Sequence, residues 1–525
     1  MPDPSQRVRF WCVTAASDLE VLGCDFQYFC RDCESPALSA KAGIEMIAWQ
    51  DYHTHPTTVE MGDTSARTLP PETTDKIIDY LHDIPTALVS SSLVQKSWTY
   101  RAQWWLYTKI FLRDRQAYAS LLRLKSQPRT RAFLKQQCGH TTRLEITDDK
   151  DYPYAHAFPL PFINFFPVLN ALAYHDAQWS QLHPDPTILD SLSTFSRVAT
   201  LEFYACRFSK FRDFVRVICA LRSLCDLTIV ETNLGKASLL LNLNTIEPTI
   251  TSLGKELRLS RLHARHLVSE GTSLAELLNW VSMTPSAEST ADEQRIQTLV
   301  IHPHDLTSGT SFYGPLQALL RQLGSSLTTL DIPVLPQSLI GMGIPVGLPV
   351  NANDRLQSLV LRYTFREEWE TAWANIGQML STITSPSLQT LELVFTIYRA
   401  AWIDIGGAFN VTQSKDSWAP INEVLGSGAL SKLQKATITL EWYIEKSLPD
   451  AEVERLQVSI EEGMKGLEWS KRGILSITHS EHCWDIHMTT TRLKFQWFEL
   501  QKGASDRNRR HPRVTLHQSE AAQDD

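Results

Sequence analysis

LTTLDI, at residues 327–332, carries the pattern that decides how this chain folds, because the same spacing returns along it. LCDLTI (224–229), LQSLVL (356–361) and LQTLEL (388–393) repeat its Leu-x-x-Leu-x-apolar form, and RVATLEF (197–203), RIQTLVI (295–301) and LQKATI (433–438) are looser copies. Alternate residues of a strand share a face. Leu327, Leu330 and Ile332 are therefore expected to point inward, leaving Thr328, Thr329 and Asp331 outside. The copies stand at irregular intervals, mostly around thirty residues, and the intervening pieces look helical, as in FSKFRDFVRVICALRSL and GPLQALLRQLGSSL.

A strand-plus-helix unit of ~20–30 residues cannot bury its own apolar face, so neighbouring copies stack into a curved solenoid with strands on the concave side. The Asn that closes a standard leucine-rich repeat is mostly missing. The array is thus leucine-rich-repeat-like but degenerate, an α/β architecture; the competing reading is a set of unrelated buried strands in another α/β fold.

The chain has 525 residues, 43% of them apolar and 21% charged, with a net charge of −8. This is an ordinary globular balance in a chain long enough for several domains or one elongated array. The negative charge gives no global attraction to nucleic acid or anionic lipid, and neither partner is expected. Nine cysteines, an odd and sparse set, do not make a disulfide framework. Asp18 and Glu20 interrupt any apolar signal core, and no run reaches the ~18 apolar residues of a membrane span. A cytoplasmic or nuclear location follows as the expectation, and Asn410-Val411-Thr412 is then a chance sequon.

Residues 1–60 hold four of the cysteines and show no sustained period; they are expected to be a poorly ordered extension or a gene-model artefact, with Met61 a natural start. Residues 66–110 form a helical module, 111–140 a linking helix, 141–502 the solenoid, and the polar 503–525 a disordered tail. The module contains LPPETTDKIIDYLHDIPTALVSSSLVQKSW, residues 69–98. Pro70 and Pro71 suit a helix start and Glu72 its first turn; Ile77, Ile78 and Leu81 then share a face. Apolar sets at Leu88, Leu93 and Val94, and at Trp98, Trp104, Trp105 and Leu106, complete three short helices. Residues 101–135 continue as helix and are rich in Arg and Lys, which reads as a solvated face.

Chemistry-bearing motifs are weak. Cys24, Cys30 and Cys33 have zinc-knuckle spacing, with Cys12, His53 or His55 as a fourth ligand, but only one half-site is present and free thiols are expected. His302 and His304 follow a strand-like run, as ligands of a metal-dependent hydrolase do at a barrel strand end, but the eight-fold alternation such an enzyme needs is absent; they read as loop histidines. No nucleophile elbow, Walker A loop or dinucleotide fingerprint occurs, and the Gly-rich IGMGIPVGLPV (340–350) lacks the Lys and Ser/Thr that hold phosphate and metal. No catalytic residue, metal site or cofactor is expected.

The module resembles an F-box, the short helical unit through which substrate receptors dock on the adaptor subunit of a cullin-RING ubiquitin ligase. The matching positions are Leu69, Pro70 and Glu72, then Ile77, Ile78 and Leu81, then Leu88, and finally Ser92, Leu93, Val94 and Trp98. Thr73 and Thr74 depart from it, standing where the family has an apolar residue. An F-box before an irregular leucine-rich array, with RGIL (472–475) near the C-terminus, is similar to F-box proteins abundant in mushroom-forming fungi. The resemblance implies an adaptor-docking face made by those residues, and a target protein held by the array. The alternatives are a leucine-rich-repeat scaffold whose helices only cap the stack and, remotely, a hydrolase using His302 and His304.

Overall fold

The computed structural model describes residues 69–179, 186–235, 257–267, 272–284, 295–303, 310–334, 350–365, 369–398, 421, 423–424, 430, 432–444, 458, 470 and 472–483. The expectations for residues 1–60, the 503–525 tail, Asn410, His304 and residues 340–349 lie outside them. The chain divides into two compact units, the first reaching to Pro333 and taking in residues 350–358 and 382–387, the second holding residues 359–381 and everything described from Leu388 on.

The first unit opens with α1 (Pro71–Tyr80), α2 (Pro85–Val94) and α3 (Lys96–Thr108), the three expected helices. Pro71 and Pro85 occupy the first turns of α1 and α2, where a missing N–H costs nothing. Strand β1 (Lys109–Leu112) follows at once, so residues 101–135 are not one helix. Ile110 and Phe111 favour extended backbone, and the KIFL segment finds a parallel partner in β2 (Arg143–Thr147). Between them lie α4 (Arg115–Ser126), capped by the Asp114 carboxylate, and α5 (Pro128–Cys138).

Strands β3 (Ala171–His175), β4 (Thr200–Tyr204), β5 (Asp226–Val230), β6 (Arg261–Leu267), β7 (Thr298–Pro303) and β8 (Thr329–Pro333) follow. Helices α6 (Pro186–Ser193), α7 (Phe211–Ala220), α8 (Thr272–Ser282) and α9 (Tyr313–Leu323) alternate with them. Every strand pairs in parallel with the next in chain order, the order of a leucine-rich-repeat-like α/β array. The second unit has the same character, with β9 (Ser358–Phe365), α10 (Trp369–Ser381), β10 (Thr390–Tyr398), β11 (Lys435–Ile444) and β12 (Leu475–Cys483), the last three parallel and in order.

All seven quoted copies of the pattern are strands or their entries. Its second leucine falls in one register across the first unit: Leu144, Leu172, Leu201, Leu227, Leu262, Leu299 and Leu330 are successive partners, none more than 1% exposed. Ile146, Tyr174, Phe203, Ile229, Ala264 and Ile301 form the next buried column. Asp331 departs from expectation: it lies on the opposite face, as the alternation requires, yet is buried because His302 of β7 covers it.

The structure also locates the missing asparagine. After β3, β4 and β5 the chain turns through Asp176, Ala205 and Glu231, all with positive φ, and then places a small buried residue: Ala177, Cys206 or Thr232. The Cys206 thiol donates to the Tyr174 carbonyl at 3.3 Å and the Thr232 hydroxyl to the Phe203 carbonyl at 3.4 Å. Each side chain thus bonds the preceding repeat, where a larger amide would do the same. Trp179, Phe208 and Leu234 then close the three repeats as buried plugs. Gly235 is obligatory behind the last: with φ at 85°, a Cβ there would sit 2.6 Å from the Ser209 carbonyl.

Because each repeat's core lies against its neighbours, truncation inside the column should be felt by the whole unit. Leu201→Ala is expected to destabilise by about 2–5 kcal/mol, the range for a buried leucine that leaves a cavity. Chemical denaturation followed by circular dichroism measures it.

Candidate functional site

Two surfaces of the first unit are candidates for a functional site, the helical module and the strand face opposite the buried columns. In the module, Ile78 and Leu88 are sealed with Ala102 in a core of its own, against which Leu81, Trp98, Trp105 and Leu106 pack. Thr74 is buried and Thr73 exposed. Leu93 is half-buried, whereas Leu69, Ile77 and Val94 are 53%, 38% and 66% exposed, with Pro70 and Glu72 at the surface beside them. The matching positions therefore separate into a group that holds the helices together and a group that faces outward. Tyr80, Ile84 and Tyr100, not singled out from the sequence, are exposed as well. They break no helical period, so only the packing reveals them.

A polar clamp fixes α1 on α3. The Asp79 carboxylate accepts from Arg101 Nε at 2.7 Å and Nη2 at 2.8 Å, and from the Trp105 indole at 2.7 Å. The Arg101 hydrogen bonds hold the Asp79 carboxyl below the usual range, against the opposing effect of burial. Arg101 also lies over the ring of Trp104, 5.0 Å from its centroid.

The open strand face is charged. Arg143 on β2 is bidentate to Glu202 on β4, two strands away, at 2.9 and 2.8 Å, and its Nε reaches Glu145 at 2.7 Å. Ala173 makes this possible: it stands between Glu145 and Glu202 in the register and has only a methyl group beneath the guanidinium lying across β3. His175 stacks on Tyr204 with centroids 4.7 Å apart and approaches Glu145 at 3.5 Å, while the Tyr204 hydroxyl donates to Glu202. Burial pushes the Glu145 carboxyl up, but His175 and Arg143 together outweigh it and hold it at about 2.

Further along the face, His302 contacts Asp331 at 2.9 Å. Its proposed companion His304 lies outside the described residues. Among the described residues no group of three His, Cys, Asp or Glu side chains is placed to hold a metal ion. Cys138, Cys206, Cys219 and Cys225 are free thiols, and burial raises each of them, Cys138 and Cys219 to about 12. Such thiols are poor nucleophiles. No helix among the described residues is long and apolar enough to cross a membrane.

The open-face residues were not legible as a site because β2 and β3 disguise the repeat. Thr141 takes the place of the first leucine before β2, and Tyr174 takes the final apolar place in β3. Once those strands are aligned, the residues between the buried leucines follow. No family model matches the chain, and no curated protein matches it in sequence.

The depressed Glu145 carboxyl has a pH consequence. Its unfolded value is near the ordinary 4.5, so its stabilisation is complete above that pH and is lost as pH falls from there towards about 2. Acid should therefore cost the first unit on the order of a few kcal/mol across that window. Glu145→Gln is expected to remove this part of the dependence, read by denaturant titrations at a series of pH values.

Proposed function

We propose that the chain is a non-enzymatic substrate receptor of a cullin-RING ubiquitin ligase, docking the adaptor through α1–α3 and a target protein through the strand array. The observation that carries this reading is the division within the module. Its core is already closed by Ile78, Leu88 and Ala102, yet Leu69, Ile77 and Val94 remain exposed at positions the F-box resemblance assigns to adaptor contact. Apolar residues that a small module does not need for itself are what a partner buries. Glu72 and Pro70 lie beside them at the start of α1, where the resemblance also places contacts. The ligation chemistry belongs to other subunits, and this chain supplies proximity and orientation.

A second reading has its own support. Helix α3 runs directly into β1, and among the described residues β1 has its partner on one side only, β2, so on this reading the module serves as the cap that a repeat array needs at its end. On that reading the protein is a leucine-rich-repeat scaffold without ubiquitin transfer.

Co-purification of the full chain with the adaptor decides between them. The receptor reading expects a complex, lost by about tenfold or more in affinity in the combined variant Leu69→Ala, Ile77→Ala, Val94→Ala. Because all three residues are outside the module's core, the melting temperature of that variant should stay close to that of the parent. A folded parent protein that ignores the adaptor at micromolar concentration overturns the receptor reading and leaves the scaffold.

A further inference from the structure

We propose that His263 and Arg265 on β6 form a binding site for a doubly charged oxyanion of the phosphate-monoester class, presented on the open strand face of the first unit. The two residues are two apart on one strand, so their side chains leave the same face. The Nε of Arg265 and the Nε2 of His263 are both buried and have no hydrogen-bond partner among the described residues. Buried donors are rarely left so, since each costs free energy until something accepts from it.

The surroundings define what that acceptor is. In the register His263 stands between Thr228 and Val300, and Arg265 between Val230 and His302. Thr228, Val230 and Val300 are short and uncharged, so they bring no charge of their own to the pair. The carboxylates that face this region are engaged: Asp226 on β5 with Arg261 at 3.7 Å, and Asp331 on β8 with His302 at 2.9 Å. His266, at the bulge of β6, turns its ring towards that same His302, with centroids 6.4 Å apart. Arg265 is then the open-face guanidinium of this unit, among the described residues, with no carboxylate against it.

Size and charge both select the ligand. Residues two apart on a strand are separated by about 6.6–6.8 Å, a gap that one oxyanion spans when it accepts hydrogen bonds of ~2.8 Å on either side. Burial, and then the neighbouring Arg265 and Arg261, hold the His263 imidazole towards its neutral form. Arg265 alone balances a singly charged carboxylate. A dianion also favours the imidazolium, so its binding draws one proton from solvent onto His263 and leaves the pair and the ligand neutral together. As a contact for a phosphorylated side chain of a target, the site rests on the receptor reading above. As an oxyanion site it does not, and neither residue belongs to the adaptor-docking module.

The test is calorimetry on the full chain with sulfate, which keeps both charges throughout the range in which histidine titrates, and then with inorganic phosphate and a phosphoserine peptide. Sulfate should bind more tightly as pH falls, with proton uptake seen as a dependence of the heat on buffer. Arg265→Gln should weaken it about tenfold or more, the loss of one charge-assisted contact. His263→Gln should bind sulfate without the pH dependence. Sulfate binding that is absent at millimolar concentration, or independent of pH in the parent protein, overturns the site even if the Arg265 variant fails to fold. A phosphoserine peptide that binds more tightly than inorganic phosphate supports a protein as the source of the group; one that binds no more tightly overturns that part. Adaptor co-purification is read separately, so failure of the receptor reading and failure of the site are distinguishable.

Discussion

The alignment of one buried leucine per strand, from Leu144 through Leu330, is the constraint on which the first unit depends. No strand of five to seven residues can bury such a side chain by itself, so each repeat is stable only between neighbours. Backbone bonds run beside the column at the same pitch. Ala199 N–H donates to the Asn170 carbonyl, Cys225 to Ala199, Ser260 to Cys225, Gln297 to Ser260 and Thr328 to Gln297, all between 2.7 and 2.9 Å. A slip of one residue would expose every leucine and break every rung, which is why irregular gaps between repeats are tolerated while the spacing within each repeat is not.

The opposite face is organised by a different rule, in which a long cation reaches over a small residue to a carboxylate two strands away. Arg143 does this across Ala173 to Glu202. The second unit repeats the device with other residues: Arg362 on β9 bonds Glu441 on β11 at 2.9 Å, and the β10 residue opposite Glu441 in the register is Thr396, whose hydroxyl donates to the same carboxylate. These pairs stitch repeats together on the side where no apolar column exists. They also neutralise the charges they join, so Arg265, which has no carboxylate against it among the described residues, stands out against its surroundings.

Much of the architecture could be read from the chain because leucine spacing is a direct record of burial. Strands β4, β5, β7, β8, β9, β10 and β11 announce themselves in this way. The others fail the pattern for local reasons. β6 has the form Leu259-x-x-Leu262-x-Ala264, with a final side chain too small to register as apolar signal, and β1 begins immediately after a helix whose composition runs on into it. Before β12, the first leucine is replaced by Arg472, whose guanidinium bonds the Leu433 carbonyl of the preceding repeat at 2.8 Å. A hydrogen bond from an arginine thus substitutes for an apolar contact, and periodicity has no means of seeing it. The open-face network was hidden for a related reason: its residues are polar ones at strand positions that look like solvent, and only the register shows that Arg143, Glu145 and Glu202 meet.

The module's departures from the F-box pattern acquire distinct meanings once burial is assigned. Thr74 faces inward, near Ile78 one helical turn later, so the loss of an apolar group there bears on the packing of α1 against its neighbours. The clamp of Asp79, Arg101 and Trp105 ties that same helix to α3 by hydrogen bonds. Thr73 faces outward, and on the proposed receptor reading the missing apolar surface there bears on the adaptor contact instead. Around it Leu69 and Ile77 remain exposed on the first helix and its leader, with Val94 at the end of the second. The two departures are therefore separable: Thr74 lies where the helices pack, whereas Thr73 lies on the outward face among Leu69 and Ile77.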